Sequence, residues 1–239
     1  MLISTTNVAF SKEIELVEAI EINGAKIKMT ILGESKNNPV LLFLHGGGGE
    51  SESSVIMEAM KPLEKYFIMV YYDQRGAGRS YSPKIPLETM TIKQFAEDAK
   101  EVTLFLVKKY KQNKIYILGH SWGSFLGAYV VNKYPRLFHA YIGTGVVANA
   151  YESFKDQYYF VKKEATKNID TETLEALKNI KIPSKDANSK EWLEFIMTLA
   201  PKVEKYTPIK ISKETMERQI YLQSKSKYST RKEKKIYLS

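Results

Sequence analysis

Apolar and polar residues alternate over part of "EIELVEAIEI" (residues 13–22) and more cleanly along "AKIKMTILG" (25–33). A period of two predicts half-buried strands. Asn23-Gly24 between them predicts a hairpin closed by a type I′ turn. The pattern then changes. Val40–Leu44, in "PVLLFLHGGGG", is continuously apolar, as in a strand buried on both faces, and a glycine loop follows it. "SSVIMEAMKPLEKY" predicts a helix with Ser53 or Ser54 at its N-cap. "FIMVYYD" is a second buried-type strand. "TIKQFAEDAKEVTLFLVKKY" predicts a long amphipathic helix capped by Thr91, with Ile92, Phe95, Ala99, Val102 and Leu106 on its apolar face. "KIYILGHS" is a third buried strand, "WGSFLGAYVVNKY" a helix stopped by Pro135, and "AYIGTGVV" a fourth apolar strand.

After two antiparallel strands, strand and helix thus alternate. The expected fold is α/β, a mostly parallel sheet entered from an antiparallel N-terminal hairpin. From about residue 149 only helical patterns remain: "YESFKDQYYFVKKEATKN", "DTETLEALKNI", "SKEWLEFIMTLAPKVEKY" and "SKETMERQIYLQSK". The expected organisation is a core over residues 1–148 and a helical cap with a basic tail over 149–239.

Composition changes the picture only at a few points. The 239 residues contain no cysteine, which excludes thiol catalysis and cysteine metal sites. The net charge of +9 is concentrated in the last 16 residues, which hold six basic residues and one acidic. This reads as a solvated terminus rather than a nucleic-acid site. No apolar run approaches a membrane span and no secretory leader is evident, so a cytoplasmic protein without membrane or nucleic-acid partners is expected. No Gly-rich nucleotide motif is present, and no cofactor or metal is expected.

The candidate chemistry lies in three loops. Gly119-His120-Ser121-Trp122-Gly123 falls between a buried strand and a helix, where a nucleophile elbow belongs. The flanking glycines allow the strained turn, and the following helix points its amino-terminal dipole at the serine. Residues His45, Gly46, Gly47 and Gly48 open a glycine loop after another strand. The N–H groups of Gly47 and Trp122 are candidates for an oxyanion hole. The third loop is "YYDQRGAGRS", residues 71–80. Together, "HGGGG", "DQRGAGRS" and "GHSWGS" resemble the α/β-hydrolase superfamily, and within it the proline iminopeptidase (prolyl aminopeptidase) group of serine peptidases. The likeness is close over about residues 10–150 and loose beyond. Gly48 stands where the group usually has proline.

The resemblance implies Ser121 as nucleophile, Gly47 and Trp122 as oxyanion donors, and a small peptide as substrate, cleaved at an N-terminal residue, preferably proline. An ester, amide or lactone substrate remains open, because the same elbow serves all of these. Ser121 excludes the related enzymes that use a nucleophilic aspartate. Asp73 and Arg75 are expected to form a buried pair that shapes its loop. Cap acids hold the substrate's amino group in the family, and Glu152, Asp156 and Glu164 are the nearest candidates, against a solvated-face reading. The family's triad order is Ser, then Asp or Glu, then His. The sequence ends before either partner's place, so the resemblance implies a C-terminally truncated member, inactive or severely impaired as it stands, or a non-catalytic remnant or binding module. His45, His120 and His139 are all in the wrong place to be the base. The fourth strand is expected to be an exposed sheet edge, open to self-association.

Overall fold

The computed structural model describes residues 14–47, 53–146, 148–185, 187, 189–207 and 221. Gly48, the predicted helix over 212–225 apart from Tyr221, and the basic tail lie outside these residues, as do the side chains of Ser53 and Ser54. Two compact units part at 147–148.

In the first unit, β1 (Ile14–Ile22) and β2 (Ala25–Gly33) form the antiparallel hairpin, with Ile22 opposite Ala25. Asn23 and Gly24 both take positive φ, +48° and +75°, as a type I′ turn requires. β2 departs from strict alternation, because its last five residues are all buried. Both its faces are covered there, since Met29 and Ile31 join one core and Leu32 the other, and in the sheet it lies between β1 and β4 (Ile68–Tyr72). The sheet order is β1-β2-β4-β3-β5-β6, where β3 is Val40–Leu44, β5 Ile115–His120 and β6 Phe138–Thr144. β4, β3, β5 and β6 run parallel.

The continuous apolar run of β3 is explained by its two coverings. Val40, Leu42 and Leu44 join a core with α2 (Ile92–Lys109) and α3 (Trp122–Lys133). Leu41 and Phe43 join a second core with α1 (Ser53–Met60) through Met57. Thr91 caps α2 by accepting from the Gln94 N–H at 3.2 Å. The buried face of that helix is Ala96, Ala99, Val102 and Leu106, and it takes in the polar Asp98 and Thr103. Ile92 is 40% exposed, contrary to the expectation from periodicity. The angle of Ile92 around the helix still falls between those of Ala99 and Thr103, so the buried face lies where the periodicity put it and only the first residue of the helix is left outside.

The second unit consists of α4 (Ala150–Lys167), α5 (Thr171–Lys178) and α6 (Ser189–Tyr206). Val161, Leu177, Phe195 and Leu199 form its core, with Trp192 packed against Tyr151, Phe154 and Phe195. Asn149 caps α4 and Asp170 caps α5. Asp170 also accepts from Lys205 Nζ at 2.5 Å and from the Tyr206 hydroxyl, which ties α5 to the end of α6.

Candidate active site

Parallel strands bring their carboxyl ends to one edge of a sheet, where ligand sites of α/β folds are found. Here the loops after β4, β3 and β5, three adjacent strands, begin at Asp73, His45 and Ser121.

Ser121 has φ +50° and ψ −117°. A non-glycine residue at positive φ is strained by roughly 1–3 kcal/mol and persists only when its surroundings impose it. The surroundings are visible. The Ser121 N–H donates to Thr144 O at 2.9 Å, and Ser121 O accepts from Ser124 N at 2.9 Å and from Ser124 Oγ at 2.6 Å. A Cβ on Gly119 would lie 2.2 Å from Gly123 O, and a Cβ on Gly123 would lie 2.0 Å from Leu44 O. Only glycine fits at either position, so strand and helix can pack closely enough to hold the serine on the turn. Trp122 opens α3, and the first N–H groups of a helix have no partner within it. They carry the positive end of the helix dipole.

Gly47 is exposed and has φ +67°. His45 before it is buried and holds the loop through both ring nitrogens. Its Nε2 lies 3.0 Å from the Gln74 main-chain N–H, and its Nδ1 lies 2.8 Å from Gly46 O. A main-chain N–H can only donate, so Nε2 accepts and Nδ1 carries the proton. Gln74 was not singled out from the sequence. It is buried, its side-chain amide donates to His45 O at 2.8 Å, and its Oε1 accepts from Trp122 Nε1 at 3.0 Å. Phe95 and Phe125 flank the same indole. The only sequence signal was the position of Gln74 within "DQRG", because its partners lie 29 and 48 residues away.

Asp73 and Arg75 do not pair with each other, which corrects the expectation above. Asp73 Oδ2 accepts from the main-chain N–H of Arg79 at 2.8 Å and from its Nε at 2.7 Å. Arg75 makes a two-pronged, fully buried pair with Asp98, Nε to Oδ2 at 2.7 Å and Nη2 to Oδ1 at 2.8 Å. Asn23 and Gln94 also donate to Asp98 Oδ1. Arg75 reaches back to the hairpin at Asn23 O, 3.1 Å. The spacing of two residues puts Asp73 and Arg75 in different directions along the turn, so each finds its own partner. Burial, and after it the Asp98 charge, push the Tyr72 hydroxyl far above the usual phenol range.

The three histidines are placed as follows. Both ring nitrogens of His45 are engaged. His120 pairs with Thr144 in the β5–β6 register, and its Nε2 would lie 3.6 Å from a Cβ on Gly145. Its ring therefore rests against the end of β6. His139 stacks on Tyr116, with ring centroids 5.1 Å apart. It sits five residues before Thr144, the residue that binds the Ser121 N–H. At about 3.3 Å per residue that is roughly 16 Å away.

In the helical unit, Glu152 is in the first turn of α4, where its main-chain N–H donates to the Asn149 cap at 3.2 Å. Its carboxylate accepts from Lys155 at 3.2 Å. Asp156 is exposed on the same helix, and Glu164 is half-buried further along it. A separate open groove of about 590 Å³ within this unit is lined by Tyr151, Lys155, Tyr159, Glu191, Glu194 and Phe195, among others. No cluster of metal-binding side chains occurs among the described residues. No helix among them is long and apolar enough to cross a membrane.

A strained serine between a buried strand and a helix, beside a glycine loop on the adjacent strand, is the arrangement of an α/β hydrolase. The sequence model of the alpha/beta hydrolase fold matches residues 39–238, and the chain belongs to that family. It is 38% identical over 152 residues to the probable aminopeptidase YbaC of Bacillus subtilis, covering 64% of this chain and 48% of that protein. It is 32% identical over 119 residues to the proline iminopeptidase PfmaB of Pestalotiopsis fici, covering 50% of this chain and 40% of that one. With the proline iminopeptidase of Lactobacillus helveticus it shares 27% over 152 residues, 62% of this chain and 50% of that one. The chain thus spans about half the length of these relatives, or less. A proline iminopeptidase-related protein from Thermus thermophilus shares the fold at a TM-score of 0.63 and 18% identity, over 94% of this chain and 71% of that one.

Proposed function

We propose that this chain carries the nucleophile and oxyanion loops of a serine hydrolase of proline iminopeptidase type. The observation that carries the reading is Ser121, held at φ +50° between two glycines that cannot bear a side chain. The names of the relatives support the substrate class, a peptide with a free N-terminal residue, preferably proline. In this reading Ser121 Oγ attacks the carbonyl carbon of the first peptide bond. Its proton passes to a general base, and the N–H groups of Gly47 and Trp122 receive the negative oxygen. Collapse expels the peptide amine, which takes the proton, and water then releases the acyl group. Glu152 and Asp156 remain the proposed amino-group ligands. Glu152 would have to exchange Lys155 for substrate.

In this reading the base is none of the three histidines, which the engaged ring of His45, the ring of His120 against the end of β6 and the distance of His139 support. Residues 1–239 by themselves are therefore expected to acylate slowly. Loss of a triad member costs on the order of 10⁴-fold or more, while oxyanion hole and binding alone retain about 10³-fold over water. The reading is tested by comparing single-turnover acylation of Ser121 by prolyl, alanyl and acetyl p-nitrophenyl esters, followed by mass spectrometry. Preference for the prolyl ester supports it. Equal or faster reaction with the acetyl ester would instead favour a general esterase.

A further inference from the structure

We infer that Gln74 is the positioning residue of the oxyanion site: its main-chain N–H sets the direction of the Gly47 N–H through His45, and its side chain ties His45 O to the Trp122 end of the elbow. This rests on the reading of Ser121 as a nucleophile given above.

The Gln74 main-chain N–H occupies His45 Nε2, so the neutral ring keeps its proton on Nδ1 and gives it to Gly46 O. The Gly46 carbonyl and the Gly47 N–H belong to one trans peptide, in which they point in opposite directions. A carbonyl captured by the His45 ring therefore turns the Gly47 N–H away from that ring. Without the Gln74 N–H, Nε2 is free to take the proton instead, and Nδ1 no longer has one to give.

The side chain completes the link. Its Nε2 donates to His45 O at 2.8 Å and its Oε1 accepts from Trp122 Nε1 at 3.0 Å. An indole only donates and a carbonyl only accepts, so the amide has one permitted orientation. One buried side chain thus ties the main chain of the glycine loop to the first residue of α3. The two oxyanion donors come from these two segments. Between the segments themselves the structure has a close steric approach, Gly123 against Leu44 O and His45 O. A steric contact limits how near they come but not their angle, whereas the amide fixes both. Gln74 is itself held, because Gln74 O accepts from Ala77 N at 2.9 Å in the turn that follows. It touches no reacting atom in this scheme. Its effect passes through His45 and Trp122, and a misplacement of about 1 Å can cost roughly 100-fold in rate.

The test measures the rate at which a fluorophosphonate probe modifies Ser121 in the full chain, above a Ser121→Ala baseline, for native, Gln74→Met and Gln74→Glu. Gln74→Met is expected to react about 10- to 100-fold more slowly than native, with the Trp122 indole N–H resonance moved upfield. Gln74→Glu supplies the discriminating readout. A protonated carboxyl has one donor and one acceptor, as the amide does, so it can bridge His45 O and the Trp122 indole. A carboxylate would face His45 O with a second acceptor. The rate of Gln74→Glu relative to native should therefore be near one at low pH and fall as pH rises through the introduced carboxyl's titration. A merely structural role would give no such profile at temperatures where both proteins are folded. If native reacts and both variants match it at every pH, the positioning role of the side chain is overturned while Ser121 remains a nucleophile. If native does not react above the Ser121→Ala baseline, the catalytic reading falls, and this inference with it. Should Gln74→Met fail to fold, the pH dependence of Gln74→Glu decides alone.

Discussion

Single residues carry the elbow, and glycine positions separate two kinds of cost. At Gly24, φ is +75° and nothing lies within 4 Å of an added Cβ. Gly24→Ala should lose only the backbone preference, about 1 kcal/mol. At Gly123, a Cβ would lie 2.0 Å from Leu44 O, which is main chain and cannot step aside. Gly123→Ala should cost at least about 3 kcal/mol, at or above the usual range for an overpacked core. Urea unfolding of the two variants checks the order, and similar midpoints would contradict it. At this scale the sequence was legible wherever function depends on residues close in the chain. Gly-His-Ser-Trp-Gly between a buried strand and a helix was enough to locate Ser121, Gly119 and Gly123. Partners distant in the chain were not legible. Asp98 pairs with Arg75 across 23 residues, and Gln74 joins His45 and Trp122 across 29 and 48. No local pattern encodes such bonds, because the fold alone brings the groups together.

Among elements, the strands were read more securely than the helix faces. Strand burial follows a simple alternation or a continuous apolar run, and β3, β4 and β5 showed the run. On α2 Ile92 departed from expectation because it is the first residue of the helix, and the buried Asp98 was missed because a pattern of apolar residues does not mark a polar one. The same helix has a second polar tie on its outer side. Glu97 accepts from Lys133 at 2.7 Å and from the Tyr134 hydroxyl, and so links α2 to the end of α3. The hydrogen bond from Lys133, and after it that from Tyr134, lower the Glu97 carboxyl from 4.5 to about 2. The lowered value means that the folded state favours the ionised form. The stabilisation is complete above the ordinary carboxylate range and is lost as pH falls from there toward about 2. Solvent screens this partly exposed pair, so the effect should be modest. Melting temperatures of native and Glu97→Gln should differ at pH 7 and converge toward pH 2. A constant difference across that range would show that the link does not work through charge.

At the scale of the whole molecule, β6 is the outer strand of the sheet among the described residues. Ile142 on it is 43% exposed. An outer strand with apolar side chains is a template for pairing with another chain. Residues 1–239 are therefore expected to self-associate, with a sedimentation coefficient that rises with concentration. A single monomeric species from micromolar to millimolar concentration would contradict this. The succession of strands and helices along the chain, the hairpin and the change to helices after residue 148 were legible from periodicity and the Asn-Gly turn, whereas the order of the strands within the sheet was not. Glu152 and Lys155 stand three residues apart on the same helix, so their pairing follows from that periodicity as well.

We propose that the fold builds Ser121 as a nucleophile, and that neither His120 nor His139 activates it. The most direct measurement is fluorophosphonate labelling with peptide mapping, for the native chain and for Ser121→Ala, His120→Ala and His139→Ala. Slow labelling confined to Ser121 is expected, absent in Ser121→Ala and unchanged in both histidine variants. Absence of labelling in the native chain would contradict the first half of the claim, and loss of labelling in either histidine variant would contradict the second.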